Sequence, residues 1–171
     1  MELLAIYKDE YFPKSYIDHD RLVSRGIIIN EKNEILMLYI SRDDEFGTVA
    51  YYETPGGGVK KDETLQMAVI REVEEECGLL TSIVAEIGIV EDDYNLIHRH
   101  NVSCYFLLKV EENTDFKREE YETRWIKNMS YVEINKLIEI MNHRDSPIKE
   151  IVYKREQLVL LKVKELLKIW K

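Results

Sequence analysis

The sequence predicts an α/β protein of one domain, in which a mixed sheet combines with a small number of helices. The chain has 171 residues, which is enough for one domain with a substantial core. Apolar residues make up 45% of it and charged residues 33%, an ordinary composition for a soluble protein. Short β-branched runs alternate with helical patterns, which indicates mostly antiparallel strands with helices interspersed.

Strands are predicted wherever a short run of apolar and β-branched residues is bounded by turn residues. The segment "NEKN", residues 30–33, is typical of a hairpin turn between the first two strands. About twenty residues precede the first strand and form an N-terminal extension. The predicted strands cover residues 22–29, 35–40, 49–53, 83–90, 101–110 and 124–127.

Two helices are predicted in the middle of the chain. The first covers about 64–77 and ends at Gly78, a residue that favours helix C-termini. The second is expected to begin at Ser130, because Ser130 and Glu133 have the spacing of a capping box before "INKLIEIM".

A third and longer helix is predicted over about 147–170. Ser146 can cap it, and Pro147 is suited to its first turn. Its stripe indicates a core-facing or dimer-facing surface, whereas membrane attachment is disfavoured because acids and bases share the polar face. The apolar stripe consists of Ile148, Ile151, Val152, Leu158, Val159, Val163, Leu166, Leu167 and Trp170.

Composition excludes several classes of function. The net charge of -9 argues against non-specific nucleic-acid binding, which needs a basic surface. No apolar run reaches the roughly 18 residues of a membrane span, and the N-terminus lacks the pattern of a signal peptide. A cytoplasmic protein is therefore expected. Cys77 and Cys104 have no metal-ligand spacing and are predicted to be reduced, half-buried thiols.

An acidic segment, "ETPGGGVKKDETLQMAVIREVEEECGLL", covers residues 53–80. On a helical wheel Glu72, Glu75 and Glu76 converge, whereas Glu74 points elsewhere and is expected to be solvated. Converging carboxylates repel each other unless a cation lies between them. Carboxylate oxygens are hard ligands that suit Mg²⁺ or Mn²⁺, although a solvated acidic face is the alternative interpretation.

The glycines of "PGGG", residues 55–58, precede this helix. Glycine lets the backbone approach a ligand closely, so a phosphate held through metal would fit here. The segment is not a phosphate-binding loop of the "GxxxxGKS" type, because the Lys-Ser/Thr pair is absent.

Residues 57–79 resemble the Nudix box, whose pattern is G-x5-E-x7-R-E-U-x-E-E-x-G-U with U an aliphatic residue. Every fixed position is filled, from Gly57 and Glu63 to Leu79. The order of predicted elements around the box is also similar to the family over about residues 20–142.

The resemblance implies an α/β/α sandwich that hydrolyses a nucleoside diphosphate linked to another group, such as a modified nucleoside triphosphate, ADP-ribose or a nucleotide sugar. It implies that Glu72, Glu75 and Glu76 bind Mg²⁺ or Mn²⁺. A main-chain carbonyl at Gly56 or Gly57 would complete the metal ligands. An ion pair between Glu63 and Arg71 would hold the box together.

A general base is also required, because water must be activated for attack on phosphorus. Glu75 or Glu72 within the box could serve, as could a glutamate from the later segment "KREEYETRW". Glu119 is favoured there because it lies six residues before Trp125, a spacing that resembles family members with a late catalytic glutamate. Glu120 is the next candidate, and a solvated loop is the remaining interpretation.

Residues that bind the substrate are predicted outside the box. Tyr52 lies on a strand next to Tyr51, and one of the two should face the site because strand side chains alternate. Tyr94 lies with His98 in a segment, residues 91–100, that is expected to be a long loop. Arg25 could contact a phosphate. The alternative for these tyrosines is that they pack against the sheet.

The predicted partner is a small nucleotide-like diphosphate, with a homodimer as a further possibility and no nucleic acid or membrane. A second hypothesis is a Nudix-like module that binds a nucleotide and regulates without turnover. Such domains usually lose box glutamates, and this chain has them all. The sequence therefore favours the enzyme.

Overall fold

The computed structural model describes residues 1–169 and contains eight strands, four α-helices and one short 3-10 turn in that range. The 3-10 turn covers Asn95–Ile97. The strands are β1 (Leu3–Tyr7), β2 (His19–Ile28), β3 (Glu34–Asp44), β4 (Gly47–Glu53), β5 (Gly56–Gly58), β6 (Leu79–Tyr94), β7 (Arg99–Asn113) and β8 (Ile126–Glu133). The helices are α1 (Leu65–Cys77), α2 (Glu120–Trp125), α3 (Ile134–Ile140) and α4 (Pro147–Ile169).

The strands form two sheets, which confirms the predicted α/β class with a mixed sheet. The larger sheet has the order β1-β6-β7-β2-β5, and the smaller one has the order β4-β3-β8. Two pairs of the larger sheet, β1 with β6 and β2 with β7, are parallel, and all other pairs are antiparallel. The parallel β2–β7 pair runs from His19 opposite Arg99 to Ile28 opposite Leu108, and it supplies much of the site described below.

Helix α1 packs on one face of the larger sheet, where Gly26 of β2 allows close approach. A Cβ atom on Gly26 would lie 3.0 Å from Val73 Cγ2 and 2.6 Å from Leu108 Cδ1. Helix α4 contacts β6 of the larger sheet, β4 of the smaller sheet and α3. Gly26 lies opposite Phe106, so Tyr105 points to the other face of the larger sheet, where its hydroxyl donates to Glu156 of α4 at 2.8 Å. Helices therefore pack on both faces of the larger sheet, as in the expected sandwich.

The apolar stripe of α4 faces the core. Ile148, Val152, Val159 and Val163 are almost completely buried. Trp170 belongs to the predicted stripe but lies outside the described residues. None of the helices within residues 1–169 is long and apolar enough to cross a membrane. Dimerisation through α4 or a sheet edge stays a prediction.

Two predictions of secondary structure near the end of the chain were wrong. Residues 124–127 are not a separate strand, because Trp125 ends α2 and β8 begins at Ile126. No helix begins at Ser130, since Ser130 lies inside β8 opposite Met37 of β3. Helix α3 begins instead at Ile134, where the Glu133 side chain accepts a hydrogen bond from the Lys136 amide at 2.8 Å. Strand pairing thus outweighed the local capping pattern.

The N-terminal extension and the cysteines also differ from expectation. The first twenty residues include β1, which adds to the edge of the larger sheet beside β6. Cys77 and Cys104 are free thiols, as expected, but they are 2% and 1% exposed rather than half-buried.

Candidate active site

Helix α1 is fixed at both ends, and this fixes the direction of its acidic side chains. The Thr64 hydroxyl accepts a hydrogen bond from the Met67 amide at 3.1 Å, which caps the first turn. Gly78 ends the helix in the left-handed conformation with φ of 66°, and its N–H donates to the Glu74 carbonyl at 3.0 Å. A Cβ atom there would also lie 2.6 Å from the Thr114 carbonyl oxygen.

Three carboxylates converge at the cleft between α1 and α2, and we call them the carboxylate group: Glu72, Glu76 and Glu122. One oxygen from each lies within 4.8 Å of the others, and all three residues are buried. Burial and the nearby charges of Glu75 and Glu122 raise the pKa of Glu72, although Arg71 opposes this shift. Burial also raises the pKa of Glu76 well above its usual range. The positive charge of the neighbouring side chains is therefore too small to balance the negative charge of the carboxylate group.

The backbone of residues 55–58, which we call the glycine segment, lies close to the carboxylate group. The Gly56 amide donates a hydrogen bond to Glu76 at 2.7 Å. Gly57 lies so close to Glu72 that a Cβ atom on it would be 2.6 Å from the Glu72 carboxyl carbon. Glycine at this position therefore leaves the space that the Glu72 carboxylate occupies.

Arg71 links the glycine segment to the helix. Its Nε donates to Glu63 Oε1 at 2.5 Å and its Nη2 donates to Glu63 Oε2 at 2.9 Å, which is a bidentate pair. The Arg71 guanidinium lowers the pKa of Glu63 to about 2. The same arginine donates through Nη1 to Glu72 at 2.7 Å and to Glu75 at 2.8 Å, and through Nη2 to the Gly58 carbonyl at 3.1 Å.

The box glutamates occupy three different environments. Glu75, which the sequence grouped with the metal ligands, is turned toward Arg71 and is not part of the carboxylate group found within residues 1–169. Glu72 and Glu76 belong to that group. Glu74 forms an ion pair with Lys117 on the outer side of α1, although the sequence predicted that it would be solvated.

Helix α2, which the sequence did not predict, determines where the side chains of Glu119, Glu120 and Glu122 lie. Glu119 lies at the N-terminus of this helix, where its amide donates to Glu122 at 2.7 Å, and Glu120 pairs with Arg124 on the exposed side. Glu122 reaches the carboxylate group in the place where Glu119 was expected. One signal was available: a helix over 120–125 would bring Tyr121 and Trp125 together at i,i+4, and their rings do lie 5.4 Å apart.

The tyrosine that faces the cleft is Tyr51, not Tyr52. Tyr51 and Ile40 are cross-strand neighbours, and both line the cleft beside the carboxylate group. Tyr52 lies on the opposite face of the small sheet with its ring 5.1 Å from that of Tyr39. Alternation along β4 therefore assigns the site to one tyrosine, as the sequence indicated, but to the other member of the pair.

Arg25 lines the cleft from β2 and is held by two acceptors. Its Nη1 donates to the Thr54 carbonyl at 2.9 Å, and its Nη2 lies 2.6 Å from Glu53. Tyr94 is not on a long loop, because β6 continues through it and the chain returns into β7 after the 3-10 turn. Its hydroxyl accepts a hydrogen bond from Arg155 at 3.1 Å in the interior.

The two histidines of this segment make local contacts. The His98 ring stacks on Tyr16 with centroids 4.5 Å apart, and His100 Nδ1 lies 2.7 Å from Asp93. Neither residue lines the cleft that contains the carboxylate group.

The carboxylate group fits a divalent metal ion by its chemistry. Its ligands are hard oxygens from two elements, and burial together with the neighbouring carboxylates raises the pKa of Glu72. Arg71 contacts only Glu72 of the three, so a cation would relieve a repulsion that the protein leaves largely uncompensated.

Comparison with known proteins identifies the class. The NUDIX domain matches residues 20–153, which is most of the chain. The chain therefore belongs to the Nudix family, and the predicted resemblance is confirmed.

Individual relatives differ in how much of their length is shared. The chain is 30% identical over 113 residues to 8-oxo-dGTP diphosphatase of Escherichia coli K12, covering 66% of this chain and 82% of that protein. It is 32% identical over 83 residues to ADP-ribose pyrophosphatase of Methanocaldococcus jannaschii, covering 48% of this chain and only 47% of the relative. A NUDIX hydrolase from Nitrosomonas europaea shares the fold with a TM-score of 0.63 at 17% identity, over 77% of this chain and 84% of that one.

Proposed function

We propose that the protein hydrolyses a diphosphate bond in a nucleoside diphosphate linked to another group, with Mg²⁺ or Mn²⁺ as cofactor. The convergence of Glu72, Glu76 and Glu122 beside the glycine segment is the observation that carries this proposal. The names of two relatives, an ADP-ribose pyrophosphatase and an 8-oxo-dGTP diphosphatase, describe activities of this class and support it.

Glu72 and Glu76 would hold the metal from α1, together with Glu122 or a backbone carbonyl near Gly57. A bound divalent ion would neutralise phosphate charge and lower the pKa of an attacking water. Glu75 would act indirectly, since its carboxylate accepts a hydrogen bond from Arg71 Nη1 and does not belong to the carboxylate group found within residues 1–169.

The protein's own residues would perform the remaining tasks. Glu122 approaches from a different element than the box helix, and in this proposal one of its carboxylate oxygens accepts the proton of the attacking water. Arg25 and Arg42 line the same cleft and would donate hydrogen bonds to phosphate oxygens. Tyr121 and Trp125 lie at its edge, where an aromatic face could stack on a base.

A chromatographic screen for phosphorylated products tests the proposal, because hydrolysis of the diphosphate bond leaves two fragments that each carry phosphate. Nucleoside triphosphates, ADP-ribose and nucleotide sugars would be incubated with the protein and Mg²⁺ or Mn²⁺. Glu76→Gln should lose at least about 100-fold in kcat/KM, because it removes a buried member of the carboxylate group.

Glu74→Gln is the matched control, since Glu74 lies on the same helix but faces Lys117. Equal activity of wild type, Glu76→Gln and Glu74→Gln would refute the site. Metal-dependent nucleotide binding without turnover of any substrate would favour a regulatory module instead.

A further inference from the structure

A second compartment opens beside the carboxylate group, and we call it the arginine compartment. Four arginines and the Asn101 amide line it, with Glu53 as its one carboxylate among the described residues. It is continuous with the first cleft, because the two share Glu53 and three of the arginines. The arginines are Arg21, Arg25, Arg42 and Arg99.

The parallel pairing of β2 with β7 explains why these side chains come together. Arg21 lies opposite Asn101, and Arg25 lies opposite Tyr105. Alternate residues of a strand point to the same face, and paired residues of neighbouring strands do so as well. Arg99, two residues before Asn101, therefore projects to the same side of the sheet.

Two of the arginines are neutralised by carboxylates of the protein. Arg25 Nη2 lies 2.6 Å from Glu53, and Arg42 Nε lies 2.8 Å from Asp44. Glu53 is shared, because Arg155 of α4 also contacts it at 2.7 Å. The one carboxylate of the compartment is therefore already used by two guanidinium groups.

The other two arginines, Arg21 and Arg99, have no carboxylate within 4.0 Å in the described part of the chain. Both arginines line the compartment. The guanidinium of Arg99 lies 5.1 Å from the centroid of the Tyr94 ring. Burial and the neighbouring charge of Arg21 lower the pKa of Arg99. This excess of positive charge lies in a protein whose net charge is -9.

Hydrogen-bond donors of the compartment are also unused. Arg25 Nε and Arg99 Nε are buried and have no protein partner within residues 1–169. Arg25 itself is only 7% exposed. A buried donor without an acceptor is costly, and a charged donor more so, which indicates that an external acceptor belongs here. A neutral sugar hydroxyl could accept a hydrogen bond, but it could not offset the charge of two arginines.

We propose that the arginine compartment binds a phosphate group of the substrate that lies beyond the diphosphate at the carboxylate group. The preferred substrate class is then nucleoside triphosphates rather than nucleoside diphosphates linked to a neutral sugar. The preference rests on the proposed hydrolytic function, whereas phosphate binding by the compartment does not.

Binding of inorganic tripolyphosphate to metal-free protein tests the compartment without catalysis. Isothermal titration in chelator-treated buffer would compare wild type with Arg21→Gln and Arg99→Gln. Each change removes a charge-assisted donor, so the dissociation constant should rise about 10-fold or more. Arg21 is exposed, so Arg21→Gln keeps the fold even if Arg99→Gln does not.

Arg124→Gln is the matched control, because Arg124 is a surface arginine paired with Glu120 and lies outside both compartments. It changes net charge by the same amount and should leave tripolyphosphate affinity unchanged. If Arg21→Gln binds tripolyphosphate as tightly as Arg124→Gln does, the proposal is wrong.

Steady-state kinetics tests the substrate class. Wild type should have a higher kcat/KM for a nucleoside triphosphate than for ADP-ribose, and Arg21→Gln should reduce that ratio about 10-fold. An unchanged ratio in Arg21→Gln would overturn the preference while leaving the hydrolytic function intact. Loss of tripolyphosphate binding in a protein that hydrolyses nothing would instead refute the hydrolytic function and support the phosphate compartment.

Discussion

Alanine at Gly57 should inactivate the site without unfolding the protein. The added Cβ atom would lie 2.6 Å from the carboxyl carbon and from both carboxyl oxygens of Glu72. An ordinary contact between such atoms is about 3.5 Å, so the Glu72 carboxylate must retreat by about 1 Å. The Glu72 side chain is long enough to move, and the fold therefore need not change.

The expected loss follows from the displacement. A shift of about 1 Å in a catalytic group can cost about 100-fold in rate, which corresponds to roughly 2.7 kcal/mol of transition-state stabilisation. The assay is kcat/KM with Mn²⁺, together with direct Mn²⁺ titration and a thermal melt. Both kcat/KM and metal affinity should fall in Gly57→Ala, while the melting temperature changes little.

Neighbouring glycines provide controls of both kinds. In Gly58→Ala the new Cβ would lie 3.6 Å from the Arg21 guanidinium, an ordinary contact, so activity should stay near wild type. In Gly56→Ala it would lie 2.3 Å from the Ser24 carbonyl oxygen at a φ of 146°, so the protein should be destabilised. Activity and metal affinity in Gly57→Ala equal to those of Gly58→Ala would refute the role given to Glu72.

Four further substitutions test the site and its support. Glu122→Gln should lower kcat/KM about 100-fold, whereas Glu119→Gln should change it little, because of the two only Glu122 reaches the carboxylate group. Equal effects of the two substitutions in steady-state assays would count against this assignment. Glu63→Gln should cost roughly 1 kcal/mol of unfolding free energy at pH 7, since the pair with Arg71 is partly exposed. The pKa of Glu63 is about 2 in the fold, so this stabilisation is present above about pH 4.3 and is lost as pH falls toward 2. Urea titrations of both proteins at pH 7 and pH 3 should show the difference shrinking, and a constant difference would contradict the pairing. Arg155→Met should cost about 3–5 kcal/mol in the same titrations, because it leaves buried carboxylates without their cation; a loss below about 1 kcal/mol would show that they do not depend on it.

The structure of residues 57–79 could be predicted from the sequence because these residues form one helix and the loop before it. The spacing of Glu72 and Glu76 follows from helical periodicity, and the ends of α1 follow from Thr64 and Gly78. The α4 stripe was predicted to face the core or a dimer partner, and its burial confirms the core-facing alternative, since burial of one helix face is encoded by its period.

Tertiary packing selects the residues of other elements that join this helix. Ser130 lies in strand β8, although the capping-box pattern favoured a helix that begins at this residue. Helix α2 directs Glu122 rather than Glu119 toward the carboxylate group. The pleat of β4 directs Tyr51 rather than Tyr52 toward the cleft. A shift of one residue in a strand reverses which side chain faces the cleft, and the position at which a helix begins decides which of its side chains reach it.

The family, the mixed α/β class and the acidic helix could be predicted from the sequence, because these depend on spacing within short segments. The arginine compartment depended on the register of β2 against β7, two strands more than 70 residues apart in the chain. Pairing over such a distance is set by packing of the whole core rather than by local preference. The position of positive charge around the cleft was therefore fixed only when the sheet assembled.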